Sequence, residues 1–280
     1  MNLTDTHCHL DLEQFDADRD AVIQRAVNAG VKRILIPSLT GTSSRATVKL
    51  AESNPMLYAA VGVHPNEAET WDGQTISSLK ELAAQSLKVS AVGEIGLDYY
   101  WNKSPREEQI SILKEQLNLA AELELPVIIH SREKEDAENG ACAEDLIKIL
   151  DEWVSALKSG NEAVANRRGV LHSFSGSIET AKHAIKLGFF IGVTGPITYK
   201  NAEKKRQVIG NLPLERLLIE TDAPYLTPEP HRGTRSARNE PAFVSHIADK
   251  IAEIKSRTPQ EVAAATTENA AQLFSWGESV

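Results

Sequence analysis

A (β/α)8 barrel, laid out as a single domain over residues 1–280 and finished by C-terminal helices, is the fold this sequence predicts. Three observations carry the prediction. Short, β-branched apolar runs alternate with longer segments of helical period, and the alternation repeats eight times. The runs are continuously apolar, as strands buried on both faces must be. Eight such units in 280 residues favour closure into a barrel over an open sheet. The alternative is an open Rossmann-like sheet, weakened because no GxGxxG follows the first run.

In order, the strand candidates are residues 2–10 (NLTDTHCHL), 31–39 (VKRILIPSL), 57–65 (LYAAVGVHP) and 89–98 (VSAVGEIGLD). They continue with 126–131 (PVIIHS), 169–176 (GVLHSFSG), 189–196 (FFIGVTGP) and 216–224 (RLLIETDAP). Between the fourth and fifth, residues 106–125 place Ile110, Leu113, Leu117, Ala120 and Ala121 along one helical face. Ser104 is the N-cap candidate there, with Pro105 next and acids in the first turn. After Pro241 the tail reads as two helices, the second capped by Thr258 with Pro259 behind it. Two polar stretches, 133–146 and 155–169, look like insertions between the fifth and sixth strands and belong at the surface.

Composition excludes several classes. With 41% hydrophobic and 25% charged residues the chain is globular rather than disordered. Two distant cysteines, Cys8 and Cys142, do not make a disulfide scaffold, which points to a reducing compartment and a cytoplasmic location. MNLTDTHCHL has no basic segment followed by a long apolar run, so no signal peptide is expected, and no run nears the roughly 18 apolar residues of a membrane span. A net charge of −9 argues against a general nucleic-acid coat protein, although a local basic rim still attracts phosphate. GxSxG and Walker sequences are missing, so a serine elbow or P-loop does not explain the chain.

Barrel enzymes collect their chemistry at the C-terminal ends of the strands. Here those ends carry His7, His9, His64, Glu94, His130, His172 and Asp222, the last preceded by Glu220. Five of the eight histidines fall in these places, which random placement does not produce. Asp5, His7 and His9 are two apart, so strand pleating predicts that all three face the barrel interior and Cys8 the helices. Two imidazoles on one face grip a divalent cation, with Asp5 or Glu220 as a supporting acceptor. A nitrogen and oxygen set of this size exceeds one four-coordinate ion, so two metals sharing a carboxylate are expected. Such pairs suit in-line displacement at phosphorus. Core histidines are the plainer reading of an isolated HxH, but burying this many ionisable groups without a cation costs several kcal/mol each.

The stretches DTHCHL (5–10), VGVHP (61–65), VGEIGLDYYW (92–101), PVIIHSR (126–132), GVLHSFSG (169–176), LLIETDAPYL (217–226) and PHRGTRSARNEP (230–241) resemble the TatD family of metal-dependent deoxyribonucleases, a branch of the amidohydrolase-like barrels. The likeness runs in order through practically the whole chain. It implies metal ligands at His7, His9, Glu94, His130, His172 and Asp222, holding two divalent ions of which Mg²⁺ or Mn²⁺ is favoured and Zn²⁺ or Ni²⁺ acceptable. It also implies that Glu94 bridges the ions, that Asp222 takes a proton from the attacking water, and that His64 lies near the scissile phosphate. The implied activity is 3′–5′ exonucleolytic cleavage of single-stranded DNA ends, as in DNA repair or fragment clearance, with no membrane and no obligate protein partner. The stretch between His130 and His172, and the GTRSARNEP loop, run longer than the family pattern.

Around this set, Arg132 and Tyr99 are the substrate-binding candidates beside His64; Tyr100 and Trp101 are further aromatics that either stack on bases or pack under a loop. Lys200, Lys204, Lys205, Arg206, Arg232 and Arg235 are candidates for phosphate attraction or simply a solvated face, while His183 and His246 read as structural and His231 lies near the mouth. Two other functions compete with the nuclease: an amidohydrolase-type hydrolase or deaminase of a small molecule, and a binding module whose metals are only structural. The small-molecule class more often carries a lysine at the fourth strand end, and none occurs there.

Overall fold

In a computed structural model describing residues 1–101, 103–157, 167–233 and 238–276, eight strands lie parallel in the order β1 to β8. They are β1 (Leu3–Asp5), β2 (Val31–Pro37), β3 (Leu57–Val61), β4 (Val89–Asp98), β5 (Val127–Arg132), β6 (Gly169–Leu171), β7 (Phe189–Val193) and β8 (Leu217–Ile219). Helices α1 (Arg19–Asn28), α2 (Gly41–Glu52), α3 (Thr75–Gln85), α4 (Arg106–Leu123), α5 (Ala141–Ala156), α6 (Ile178–Lys186) and α7 (Glu203–Gly210) connect them. Two more, α8 (Val244–Lys255) and α9 (Pro259–Phe274), follow the last strand. The ring closes between β8 and β1, where Thr6 N donates to Ile219 O at 3.2 Å and His9 N to Ala223 O at 2.8 Å.

Eight strands in this order is the predicted barrel, but most are shorter than their apolar runs. The first run spans 2–10, yet β1 stops at Asp5; the sixth spans 169–176, yet β6 stops at Leu171. In β1 and β6 pairing stops before the histidines, which leave the ladder for the mouth, whereas β4 and β5 stay paired through Asp98 and Arg132.

Two apolar layers hold the barrel. Strand residues such as Leu3, Ile34, Ile36, Val61, Ile95 and Ile219 pack outward against the helices. Leu35, Ala60, Ala91, Ile128, Val170, Phe190 and Leu218, one from each of β2 to β8, form a separate cluster with Ala270, Leu273, Phe274 and Trp276. That cluster fills the barrel, and the end of α9 stoppers its floor, with Trp276 Nε1 donating to Ser90 Oγ at 2.9 Å. Thr258 caps α9 in a reciprocal pair with Glu261, as the sequence predicts.

Three local readings change. Ser104 does not cap α4; its carbonyl accepts from the Gln109 amide at 2.9 Å instead. The polar stretch 133–146 is only half a loop, since α5 begins at Ala141 and buries Cys142 and Leu146. Residues 158–166 of the second stretch, and Arg235, lie outside the described residues.

Candidate metal centre

Past Asp5 the backbone leaves the β1 ladder, and His7 and His9 stand on irregular chain laced to the segment after β8. Asp222 N donates to His7 O at 2.8 Å. The pleat argument therefore fails for Asp5. Its carboxylate turns to the Thr221 side, accepting from Thr221 N at 2.9 Å and Thr221 Oγ1 at 2.5 Å, and it touches His7 only through the backbone N–H. Alternation holds only while a strand stays in its ladder. His7 and His9 do converge: their Nε2 atoms are 3.3 Å apart and both rings are buried.

Glu94 links two halves of the site. Its Oε2 lies 3.3 Å from His7 Nε2 and 3.8 Å from His9 Nε2. Its Oε1 lies 3.0 Å from His130 Nδ1 and 3.9 Å from His64 Nε2. On the other flank, Asp222 Oδ1 sits 3.7 Å, 3.5 Å and 3.5 Å from the Nε2 atoms of His7, His9 and His172. Residues in β4 and β5 and just past the ends of β1, β6 and β8 thus meet in one place, and all six predicted ligand candidates are among them.

Each outer histidine has its far nitrogen held. Glu220 Oε2 lies 2.8 Å from His172 Nδ1, as predicted for a supporting acceptor. It fits only because residue 192 is glycine, where a Cβ would come within 2.2 Å of that oxygen. Asp98 plays the matching part for His130, with Oδ2 3.0 Å from Nε2. Asp98 was not singled out from sequence; the only cue was its place at the end of GEIGLD. These contacts leave His130 Nδ1 and His172 Nε2 aimed at the carboxylates.

His64 differs. Asn66 N donates to its Nδ1 at 3.0 Å, so Nδ1 is the acceptor and the proton sits on Nε2. Burial, with His130 adding to it, pushes this imidazole down to about 3, so it stays neutral. A ring with Nδ1 already accepting presents Nε2–H as a donor, which suits a phosphate oxygen better than a cation.

Burial opposes charge on every member of the cluster, and mutual contacts decide the outcome. It lowers His7, with the stacked ring of His172 3.3 Å away reinforcing the drop. For His130, burial is outweighed by Asp98 and Glu94, which lift it to about 9. Glu94 is held well below the ordinary carboxylate range, because His7 and His130 more than offset its desolvation. His7 Nδ1 and His9 Nδ1 are buried with no hydrogen-bond partner. Imidazole nitrogens facing carboxylate oxygens form a donor set that fits divalent cations. His7, His9 and Glu94 form one group of potential ligands, and His64, Glu94 and His130 another.

At the rim, Tyr99 packs against the core and its hydroxyl donates to Asp145 Oδ2 at 2.5 Å, directing it to α5 rather than into the mouth. Arg132 lies over the Tyr100 ring at 3.8 Å and donates from Nε to Asp136 Oδ1 at 2.9 Å. Lys204 pairs with Glu138, and the Arg206 guanidinium holds the carbonyls of Ile197 and Tyr199, so that basic run is largely structural. Arg232 lies over the Tyr199 ring, and His231 stacks on Phe243 with its Nε2 3.0 Å from that of His246. His183 faces Asp151 at the surface. Tyr225, not singled out from sequence, stands exposed with its ring centre 6.2 Å from that of His9.

A parallel barrel whose C-terminal mouth gathers buried imidazoles around a shared carboxylate belongs to the class of metal-dependent hydrolases. The family described as TatD related DNase matches residues 4–275, and the chain belongs to it. It is 42% identical over 272 residues to the uncharacterized metal-dependent hydrolase YabD of Bacillus subtilis, covering 97% of this chain and 98% of that one. It is 38% identical over 277 residues to the 3′–5′ ssDNA/RNA exonuclease TatD of Erwinia tasmaniensis, covering 98% and 97%. The crystal structure of YjjV, a TatD homologue from Escherichia coli, superposes with a TM-score of 0.85 at 36% identity over 98% of both chains.

Proposed function

We propose that this hydrolase cleaves phosphodiester bonds of single-stranded nucleic acid, removing nucleotides from 3′ ends with two divalent cations, Mg²⁺ or Mn²⁺. The observation that carries the reading is Glu94, whose two oxygens address different histidine groups, Oε2 toward His7 and His9 and Oε1 toward His130. That division suits a carboxylate shared by two cations, which in-line displacement at phosphorus exploits. The exonuclease named among the relatives supports the substrate class.

His7, His9, Glu94, His130, His172 and Asp222 would hold the cations, with Glu220 and Asp98 fixing the outer histidines. Bound there, the cations supply Lewis acidity and make water a usable nucleophile near neutral pH. Asp222 accepts the proton of the attacking water, its Oδ1 lying between His9 and His172. His64 donates Nε2–H to a non-bridging phosphate oxygen and holds the phosphorus in line. Cys8 and Cys142 are free and buried, which suits a reducing cytoplasm, where fragment clearance or repair is the corresponding role. Among the described residues no helix is long and apolar enough to cross a membrane.

The test is digestion of 3′- and 5′-labelled single- and double-stranded DNA with EDTA, Mg²⁺ or Mn²⁺. The expected result is stepwise shortening from the 3′ end of the single strand, stopped by EDTA and restored by either ion. Intact strands under every condition, from protein that still hydrolyses a simple aryl phosphodiester, overturn the nucleic-acid reading.

A further inference from the structure

Among the described residues the strongly exposed aromatic side chains are Tyr100, Trp101 and Tyr225, at 39%, 55% and 51% exposure. All three sit at the barrel mouth. Tyr100 and Trp101 follow β4, and Tyr225 follows β8. These strands are four places apart in the eight-strand order, so their loops face each other across the opening.

Both aromatic edges are coupled to the metal centre. Tyr225 lies edge-on to His9, with 6.2 Å between ring centres. Opposite, Asp98 Oδ1 accepts from the backbone N–H groups of Tyr100 and Trp101, each at 3.0 Å, while its other oxygen contacts His130. The same carboxylate therefore aims a candidate metal ligand and fixes the turn that presents the two rings. Arg132, in register with Asp98 on the neighbouring strand, places its guanidinium over Tyr100 at 3.8 Å and 5.5 Å from the Trp101 ring. Exposed rings beside a guanidinium match the flat faces and anionic backbone of a nucleic acid strand.

We propose that these are two stacking shelves on either side of the scissile phosphate: Trp101 with Tyr100 and Arg132 takes one unpaired base, and Tyr225 takes the other. This rests on the nuclease reading and deepens it. In a duplex the base faces are already stacked and cannot reach either shelf, so the arrangement selects single strands and needs a base on both sides of the bond.

Steady-state kinetics on a short oligodeoxythymidylate, on the same strand carrying abasic sites, and on thymidine 5′-p-nitrophenyl phosphate test it. Trp101→Ala raises KM for the oligonucleotide about tenfold with a smaller change in kcat, within the range of base–aromatic stacking. Trp101→Phe restores most of that loss, and Tyr225→Leu lowers the preference for oligonucleotide over aryl ester by a similar factor. Wild-type protein binds the abasic strand about as weakly as Trp101→Ala binds the normal one. The exposed residue Leu87 provides a control, and Leu87→Ala changes none of these values. Equal KM values for wild type and Trp101→Ala, or no discrimination against the abasic strand, overturn the shelves and leave the rings to some other contact such as protein docking. Wild-type turnover of the aryl ester but of neither strand instead overturns the nuclease reading, and the shelves fall with it.

Discussion

The two ends of this barrel are built from the same strands and follow opposite rules. At the floor, Leu35, Ala60, Phe190 and Leu218 meet Phe274 and Trp276, and Trp276 Nε1 has its acceptor in Ser90 Oγ. At the mouth, the Nε2 atoms of His7 and His9 each lie 3.3–3.8 Å from carboxylate oxygens of Glu94 and Asp222, and the Nδ1 atoms of both rings have no partner. The floor is complete as folded. The apolar packing of the floor and the ionisable cluster of the mouth are therefore spatially separated.

The strongest way to break that separation is to remove charge from the mouth. Asp222→Asn should cut kcat by roughly 10²–10⁴-fold, the range for a positioned proton acceptor, while the protein still folds and unfolds cooperatively. Parallel collapse of activity and melting temperature would show the mouth to be structural. The converse cut is Trp276→Ala, which should cost about 3–5 kcal/mol in urea unfolding and leave turnover per folded molecule unaltered.

Adding cation sharpens the contrast. At about 100 times its dissociation constant, Mn²⁺ should stabilise the wild type by about 2.7 kcal/mol, and the gain should disappear in Glu94→Ala. Equal shifts of melting temperature in both proteins would place the binding elsewhere. Asp98→Asn should then weaken metal affinity or activity by about 10–100-fold, read by calorimetric titration, because it frees the ring of His130.

The smallest effect belongs to the outer rim, where opposite charges pair without any cation. Asp18 accepts from Arg238 and Arg25, which hold it at about 2, below its ordinary 3.8. A depressed carboxylate stabilises the fold above its unfolded value, so this contribution fades as pH falls from about 3.8 to 2. Asp18→Asn should flatten the acid side of the stability profile slightly, and an unaltered profile would remove Asp18 from the account.

What could be read from the sequence divides along the same line. Strand–helix alternation exposed the barrel because the strands are largely buried on both faces, and the histidines stood out because imidazoles are rare in apolar runs. Interactions made sideways stayed hidden. Gln109 and Gln116 lie on the buried face of α4, where apolar periodicity points to residues such as Leu113 and Leu117, yet their amides bind the backbone of Asp98 and Val63. Asp5 reads as a partner of His7 and His9, but the chain changes phase after it, and a two-residue period cannot register such a slip. Tyr99 and Tyr100 are neighbours of one type, and only packing sends the first to Asp145 and the second to the mouth.

Gly192 lets the seventh strand act on the candidate site without lending it a side chain. Alanine there would collide with the Glu220 carboxylate, push it aside and lessen its pull on His172, altering how basic that imidazole is. A substitution outside the ligand candidates would therefore reshape the site, and a search confined to those candidates would miss it.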